Sequence, residues 1–305
     1  MMPDPEPGAG EIRIRVEASG INPGDVKKRA DAFGIGMPYP RVIPHSDGAG
    51  RVDRIGPDVS GDWLGRRVWC FGAQSYRSFG TAAEYCVVPL TLVAPLADHV
   101  SAEQGACLGI PGITAHRAID VAGPLEGSTV LVQGGAGAVG LCAVQLARRA
   151  GARVIAVVRS SDDATKATQA GAHHVVLAGS GMIAQVKALA PLGVQHIVEV
   201  ALGANVDADV EMLAQGGSIS AYASDTARPP IPFWLLLFKN IRLFLLGSDD
   251  FPIEAKRAAA QALNAALDEG WTGFEIAGRF PLDQIAMAHE QVESHSGRGR
   301  VVLTP

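Results

Sequence analysis

Between Ser128 and Ser161 the hydrophobic pattern changes twice. Val130-Leu131-Val132 is a short, continuous apolar run of the kind a parallel strand buried on both faces needs. Leu141 to Ala150 carries apolar residues at helical spacing until Gly151 stops it, and Val154 to Val158 is a second apolar run. The stretch therefore predicts strand, glycine turn, helix, strand. The same alternation continues downstream: a helix over Asp162–Ala170 ended by Gly171, a strand over Val175–Leu177, a helix over Met182–Leu189, a strand over His196–Val200, a helix over Val206–Leu213 and a strand over Ser218–Tyr222. Such alternation predicts an α/β fold with a doubly wound parallel sheet.

The flanking regions read differently. Glu11 to Ala18 (EIRIRVEA) alternates with period two, and Arg67–Phe71 and Ala83–Val88 add strand-like segments among glycine turns, the signature of a β-rich small barrel. Lys27 to Ala32 predicts a helical turn, and Met37 to Pro44 a proline-rich loop. Ser101, followed by Glu103 and Gln104, predicts a helix start, and GIPGITAHRAI a second helix. Pro229 to Pro232 marks a break. Beyond it the most apolar tract, Phe233–Leu246, predicts a strand and flanking loop at a sheet edge, followed by helices over Ile253–Glu269 and Leu282–Glu293 and a last strand over Arg300–Leu303.

Gly135-x-Gly137-x-x-Gly140 falls between the first strand and its helix. In a dinucleotide-binding βαβ unit the first glycine permits a tight turn, the second lets backbone approach a pyrophosphate, and the third lets helix pack on strand. Glycine is common in this chain, 36 of 305 residues, so the strand before and the helix after carry the reading. Pyrophosphate is expected over Gly135, Ala136, Gly137, Ala138, Val139 and Gly140, held by the helix N-terminus. The second strand runs into Arg159-Ser160-Ser161, where an NAD enzyme places Asp or Glu for the ribose hydroxyls. A guanidinium and two hydroxyls suit a 2′-phosphate, Lys166 adds charge one turn on, and Asp162 and Asp163 read as a helix N-cap and first-turn pair. These residues point to NADP(H).

Composition narrows the partners. A chain of 305 residues, 48% hydrophobic and 19% charged, is long enough for about two domains. A net charge of -5, with no extended basic run, gives no footprint for nucleic acid or anionic lipid, so a small-molecule partner is expected. The four cysteines show neither CxxC pairing nor metal-finger spacing, and Phe233–Leu246 is interrupted by Lys239, Asn240 and Arg242, too short and too broken to span a bilayer. A cytoplasmic protein is the expectation.

GINPGD, HSDGAGRV, GTAAEY, GIPGITAHRA, GGAGAVG and the closing GRGRVVLTP, in that order, resemble the medium-chain dehydrogenase/reductase superfamily, in particular its zinc-free quinone oxidoreductase (zeta-crystallin-like) branch. The resemblance implies a Rossmann domain (113–247) and a β-rich, GroES-like catalytic domain formed by 1–112 and 248–305. Family members open with a further β-hairpin, so the start reads as shortened or misassigned. Zinc alcohol dehydrogenases of the superfamily hold their ion with a Cys and a His where this chain has Asn22 and Ser46, both poor ligands, and His45 is one residue out of register. No metal is expected.

Metal-free hydride transfer suits a quinone or an α,β-unsaturated carbonyl, whose conjugation spreads the developing charge. Asn22 is the candidate hydrogen-bond donor, although an Asx turn before Pro23 explains it equally. The tyrosines of relatives are replaced by Lys27 and Phe33; Lys27 is either a proton donor or a solvated surface lysine, and Tyr39 is a candidate lining residue. Thr114 matches a position that meets the nicotinamide side, or it is a helix-start threonine. Tyr222 and Arg300 are counted with the cofactor positions. An NADPH-dependent reductase, an enoyl-thioester reductase and a cofactor-binding homologue without catalysis all remain open, and a homodimer through Phe233–Leu246 is expected.

Overall fold

The computed structural model describes residues 2–34, 36, 38–294 and 299–305. The chain forms two compact units, Met1–Ile113 with Asp249–Pro305, and Thr114–Ser248.

The second unit is an α/β sandwich. Its sheet holds β6 (Thr129–Gln133), β7 (Arg153–Val158), β8 (His174–Leu177), β9 (Val194–Glu199), β10 (Leu213–Ala221) and β11 (Arg242–Leu245), in the order β11-β10-β9-β6-β7-β8. All neighbours run parallel, and the reversal of direction beside β6 is the crevice at which doubly wound sheets bind dinucleotides. Val130, Leu131 and Val132 are fully buried, as are Ile155 and Ile197 on the adjoining strands; each such side chain contributes about 1.5–3 kcal/mol of burial. Helices α4 (Ala138–Arg149), α5 (Ser161–Gln169), α6 (Met182–Leu189) and α7 (Leu202–Met212) connect the strands. Helix α7 starts four residues before the expected Val206, because Leu202, the first of its residues, belongs to the apolar face packed in the core with Val206 and Val210.

The apolar tract after the proline break departs from expectation. Phe233–Leu246 is not a strand with a loop but a short helix, α8 (Phe233–Phe238), followed by the edge strand β11. The run FWLLLF carries no turn residue to break helical hydrogen bonding, and the helix turns over at Asn240, whose φ of 54° lies in the left-handed region that asparagine tolerates.

The first unit is built on a seven-stranded sheet containing β1 (Glu11–Ile21), β2 (Asp47–Ile55), β3 (Arg67–Cys70), β4 (Tyr85–Pro89), β5 (Val93–Pro95), β12 (Ile276–Pro281) and β13 (Arg300–Thr304), in the order β12-β13-β1-β2-β3-β5 with β4 paired to β1. The alternating strand over Glu11–Ile21 is its hub: Ile12, Ile14 and Val16 point into a core shared with Val52, Val68 and Val88. Three residues from the chain's far end, Val301, Val302 and Leu303, pair with β1 opposite Ile21, Gly20 and Ser19.

Helix α1 occupies Pro23–Arg29, not Lys27–Ala32. Its start is set by chemistry rather than periodicity: Asn22 sits at the N-cap, Pro23 at the first helical position, where its missing N–H costs nothing, and the Asn22 N–H donates to Asp25 Oδ2 at 2.8 Å. Further on, α2 (Ala102–Gly105), α3 (Gly109–Asp120), α9 (Ile253–Asp268) and α10 (Ile285–Glu293) complete the helices. Leu282–Gln284, expected to open the last helix, is a separate 3-10 turn. Gly297 and Arg298 of the closing motif, and Met37 of the proline-rich loop, lie outside the described residues.

Candidate functional site

In the second unit the glycine turn joins β6 to α4. Gly135 and Gly140 are required by the protein itself: a β-carbon at Gly135 would lie 2.7 Å from Ala156 Cβ, and one at Gly140 only 2.2 Å from the Gly134 carbonyl oxygen. Gly137 is different. Its φ of -75° and ψ of 166° suit any residue, and the nearest atom to an added β-carbon is Gly134 O at 3.4 Å. No contact within the chain demands glycine there, yet it is the N-cap of α4, where the first N–H groups of a helix have no intrahelical acceptor and the dipole favours an anion. A close-approaching phosphate accounts for this position, so the cradle fits the pyrophosphate of a dinucleotide.

At the end of β7, Arg159 is exposed and its guanidinium makes no hydrogen bond or ion pair with any described residue. Ser160, not an aspartate, caps α5, its hydroxyl accepting from Asp163 N at 3.2 Å. Asp162 and Asp163 occupy the first turn, which corrects the N-cap expectation: serine competes as well as aspartate for a cap and Ser160 stands two residues before Asp162. Ser161 is exposed in the first turn and Lys166 half-buried on the same helix. Thr114 is buried in α3. Tyr222 follows β10, its N–H donating to the Glu199 carbonyl, and burial with the nearby Glu199 carboxylate raises its phenol well above the ordinary value. Behind the turn, Gln133 Nε2 donates to Asp209 Oδ1 at 2.9 Å, while Asn205 Nδ2 donates to Glu199 at 3.0 Å. Burial, then the charge of Glu199, pushes Asp209 well up.

In the first unit Asn22, Asp47 and Arg300 meet in a buried cluster. Asn22 Nδ2 donates to Asp47 Oδ2 at 2.7 Å and Asn22 Oδ1 accepts from Arg300 Nη2 at 2.8 Å. A carboxylate only accepts and a guanidinium only donates, so the orientation of the carboxamide is fixed. Asp47 Oδ2 also accepts from Ile110 N at 2.8 Å, while Asp47 Oδ1 and Arg300 Nε are buried with no hydrogen-bond partner among the described residues. Burial above all, and then the charge of Asp25, raises Asp47 to about 7; burial raises Asp25 to about 6. Sequence reasoning missed both acids. GINPGD and HSDGAG contain them, but nothing in their spacing says that the two loops converge.

Of the other expected residues, Arg300 belongs to this cluster, while Lys27 and Tyr39 take no part in its hydrogen bonds. Arg300, expected at the cofactor, is only 5% exposed and donates to Asn22. Lys27 is exposed, and its ammonium makes no hydrogen bond to a described residue. The Tyr39 hydroxyl donates to the Tyr76 carbonyl. Both ring nitrogens of His45 are occupied, Nδ1 by Ser19 at 2.9 Å and Nε2 by His289 at 2.8 Å. Among the described residues, no group of three or more His, Cys, Asp or Glu is arranged to hold a metal, and the four cysteines are buried.

Comparison with known proteins decides the family. The alcohol dehydrogenase GroES-like domain profile matches residues 8–98 and the zinc-binding dehydrogenase profile residues 138–261. Mouse quinone oxidoreductase is 30% identical over 98% of this chain and 90% of its own length. The chain belongs to the medium-chain dehydrogenase/reductase superfamily, in its quinone oxidoreductase branch. Among solved structures, a mycobacterial protein complexed with NADPH is 29% identical with a TM-score of 0.86, covering all of this chain and 94% of that one. A mycobacterial quinone oxidoreductase, also 29% identical, has a TM-score of 0.83. This medium-chain reductase is therefore an oxidoreductase with a Rossmann sheet and a GroES-like domain. No helix among the described residues is long and apolar enough to cross a membrane.

Proposed function

We propose that this quinone oxidoreductase-like chain uses NADPH, works without zinc, and reduces a quinone or an α,β-unsaturated carbonyl. The observation that carries the reading is the pairing of an open Gly137 with an unpartnered Arg159 at the end of β7. When bound, the nicotinamide cofactor supplies the hydride. The chain's own residues do the binding: the N–H groups of the first turn of α4 receive the pyrophosphate, and Arg159 with Ser161 receives the 2′-phosphate. A ribose-binding carboxylate at this point would repel that phosphate, and Arg159 stands in its place.

Asn22 is the proposed polarising group for the acceptor. One carboxamide N–H is given to Asp47, and the second makes no hydrogen bond to a described residue. The zinc-ligand positions carry Asn22 and Ser46, and the neighbouring His45 has no free nitrogen, which supports metal-independent chemistry.

The chain is proposed to act as a homodimer. β11 is the sheet edge, and Phe233, Trp234, Leu235, Phe238 and Leu245 next to it are all more than half exposed. An unpaired edge beside an apolar patch favours symmetric association.

Oxidation of NADPH and of NADH with quinones, enones and a crotonyl thioester as acceptors tests the reading. Turnover of quinones or enones with NADPH, undiminished by a chelator, is expected. Preference for the thioester would move the assignment to an enoyl-thioester reductase, and cofactor binding without turnover of any acceptor would make the chain a binding homologue. Sedimentation of Trp234→Asp as a monomer, beside a wild-type dimer, would place the interface.

A further inference from the structure

Within the first unit, residues 244 positions apart close a buried run of polar side chains. Arg29 Nη1 lies 3.2 Å from His289 Nδ1, His289 Nε2 lies 2.8 Å from His45 Nε2, and His45 Nδ1 lies 2.9 Å from Ser19 Oγ. Ser19 Oγ is 2.8 Å from Thr81 Oγ1, which donates to the Asp47 carbonyl at 2.7 Å. The two ends fix the direction of every bond between them, because a guanidinium can only donate and a carbonyl can only accept. His289 accepts at Nδ1 and so carries its proton on Nε2, which donates to His45. His45 in turn carries its proton on Nδ1 and donates to Ser19, Ser19 donates to Thr81, and Thr81 to Asp47. A single placement of hydrogens satisfies all five bonds, and both imidazoles are neutral in it.

A further proton on either ring breaks the run. On His45 it would set N–H against N–H across 2.8 Å, and on His289 it would face the Arg29 guanidinium. The charged groups facing the pair are Arg29 from α1 and Glu293 from α10, and Arg29 itself engages Glu293. β1 and the Thr81 loop present only hydroxyls. His45 also sits at a φ of 75°, a left-handed backbone that a histidine adopts at a cost when its surroundings hold it there.

We propose that His45 and His289 form an acid-released clasp: while both rings are neutral they tie α10 and α1 to β1 and the start of β2, and protonation of either ring frees α10. Asn22 is the N-cap of helix α1, so release would also loosen the element that holds the candidate donor. The direction of the titration agrees with the geometry. Burial, then the neighbouring ring, lowers His45 to about 3, and burial, then Arg29, lowers His289. An unfolded histidine titrates near 6.5, so the clasp's contribution is complete above about pH 6.5 and is lost as pH falls from there toward about 3, with the unfolding constant rising up to about tenfold per pH unit for each ring.

The test uses the full chain and His289→Gln, whose carboxamide oxygen can accept from Arg29 and whose N–H can donate to His45 without titrating. Between about pH 7.5 and pH 5 the variant is expected to lose roughly tenfold less in its unfolding constant than the wild type, while matching it at the upper pH. Amide exchange over 285–293, corrected for intrinsic pH dependence, should rise on acidification more steeply in the wild type than in the variant, which keeps only the His45 ring. Equal pH sensitivity of the two proteins, or unchanged wild-type exchange over 285–293, would overturn the clasp. If the variant does not fold, the imidazole titration of the wild type by NMR decides: both rings titrating near the unfolded value would overturn the proposal as well.

Discussion

The glycine turn of the second unit and the Asn22 cluster of the first solve opposite problems. The turn makes room: it removes side chains so that backbone can approach a ligand, and it leads into the first turn of α4, whose N–H groups have no intrahelical acceptor. The cluster fills room: four polar side chains, Asn22, Asp25, Asp47 and Arg300, are buried against one another, and the uncharged protein around them pushes both acids upward. A site made of backbone depends on local sequence and tolerates little change in volume. A site made of side chains depends on charge balance, and pH is the variable that tests it.

Substitutions separate these two modes, and the largest effect is expected at Gly140. A side chain there would overlap the Gly134 carbonyl, so Gly140→Val should destabilise the second unit by about 3 kcal/mol or more, measured by denaturant unfolding. Gly137→Val is the sharper probe, since the chain leaves space at this position. Its melting temperature should stay near wild type while NADPH binding, followed by calorimetry, falls steeply. Retained affinity would remove the cradle from the cofactor site.

Arg159→Ala comes next. Loss of a charged phosphate contact costs about 1.5–3 kcal/mol, so NADPH affinity should fall roughly ten- to a hundredfold. NADH should bind as before; equal losses for both cofactors would assign Arg159 to the adenine or to structure. The smallest effect is a slope. Asp47 titrates near 7 in the folded chain and near 3.9 when unfolded, so the folded state holds the extra proton and stability falls as pH rises between those values. Asp47→Asn should flatten that decline in melts between about pH 5 and pH 8, whereas an unchanged slope would show that Asp47 is ionised and balanced by Arg300.

How much of this was legible in the sequence follows from the same contrast. The cradle sits within one stretch bounded by β6 and α4, so its motif and periodicity suffice to place it, along with the order of strands and helices around it. The Asn22 cluster joins residues 22, 25, 47 and 300, and only the pairing of β1 with β2 and β13 brings them together. Asn22 was visible in its motif, but its bonding to Asp47 and to the Arg300 guanidinium, itself expected at the cofactor, was not. Phe233–Leu246 was misread for another reason. Apolar runs that short carry no period, and the helix of FWLLLF shows only in its hydrogen bonds.

The antiparallel pairing of Ser19–Ile21 with Val301–Leu303 also has a bearing on how the protein is made. Every strand and helix of the Thr114–Ser248 unit has left the ribosome while the last part of the chain is still being added, so that unit can complete its sheet during synthesis. The first unit cannot. Its hub strand emerges early and must wait for β13, nearly the whole chain later, with an apolar, hydrogen-bond-hungry edge exposed in the meantime. The nascent first unit, rather than the dinucleotide domain, is therefore where a chaperone holding unpaired strand edges would act, and truncation before Arg300 should yield a folded second unit attached to an aggregating first.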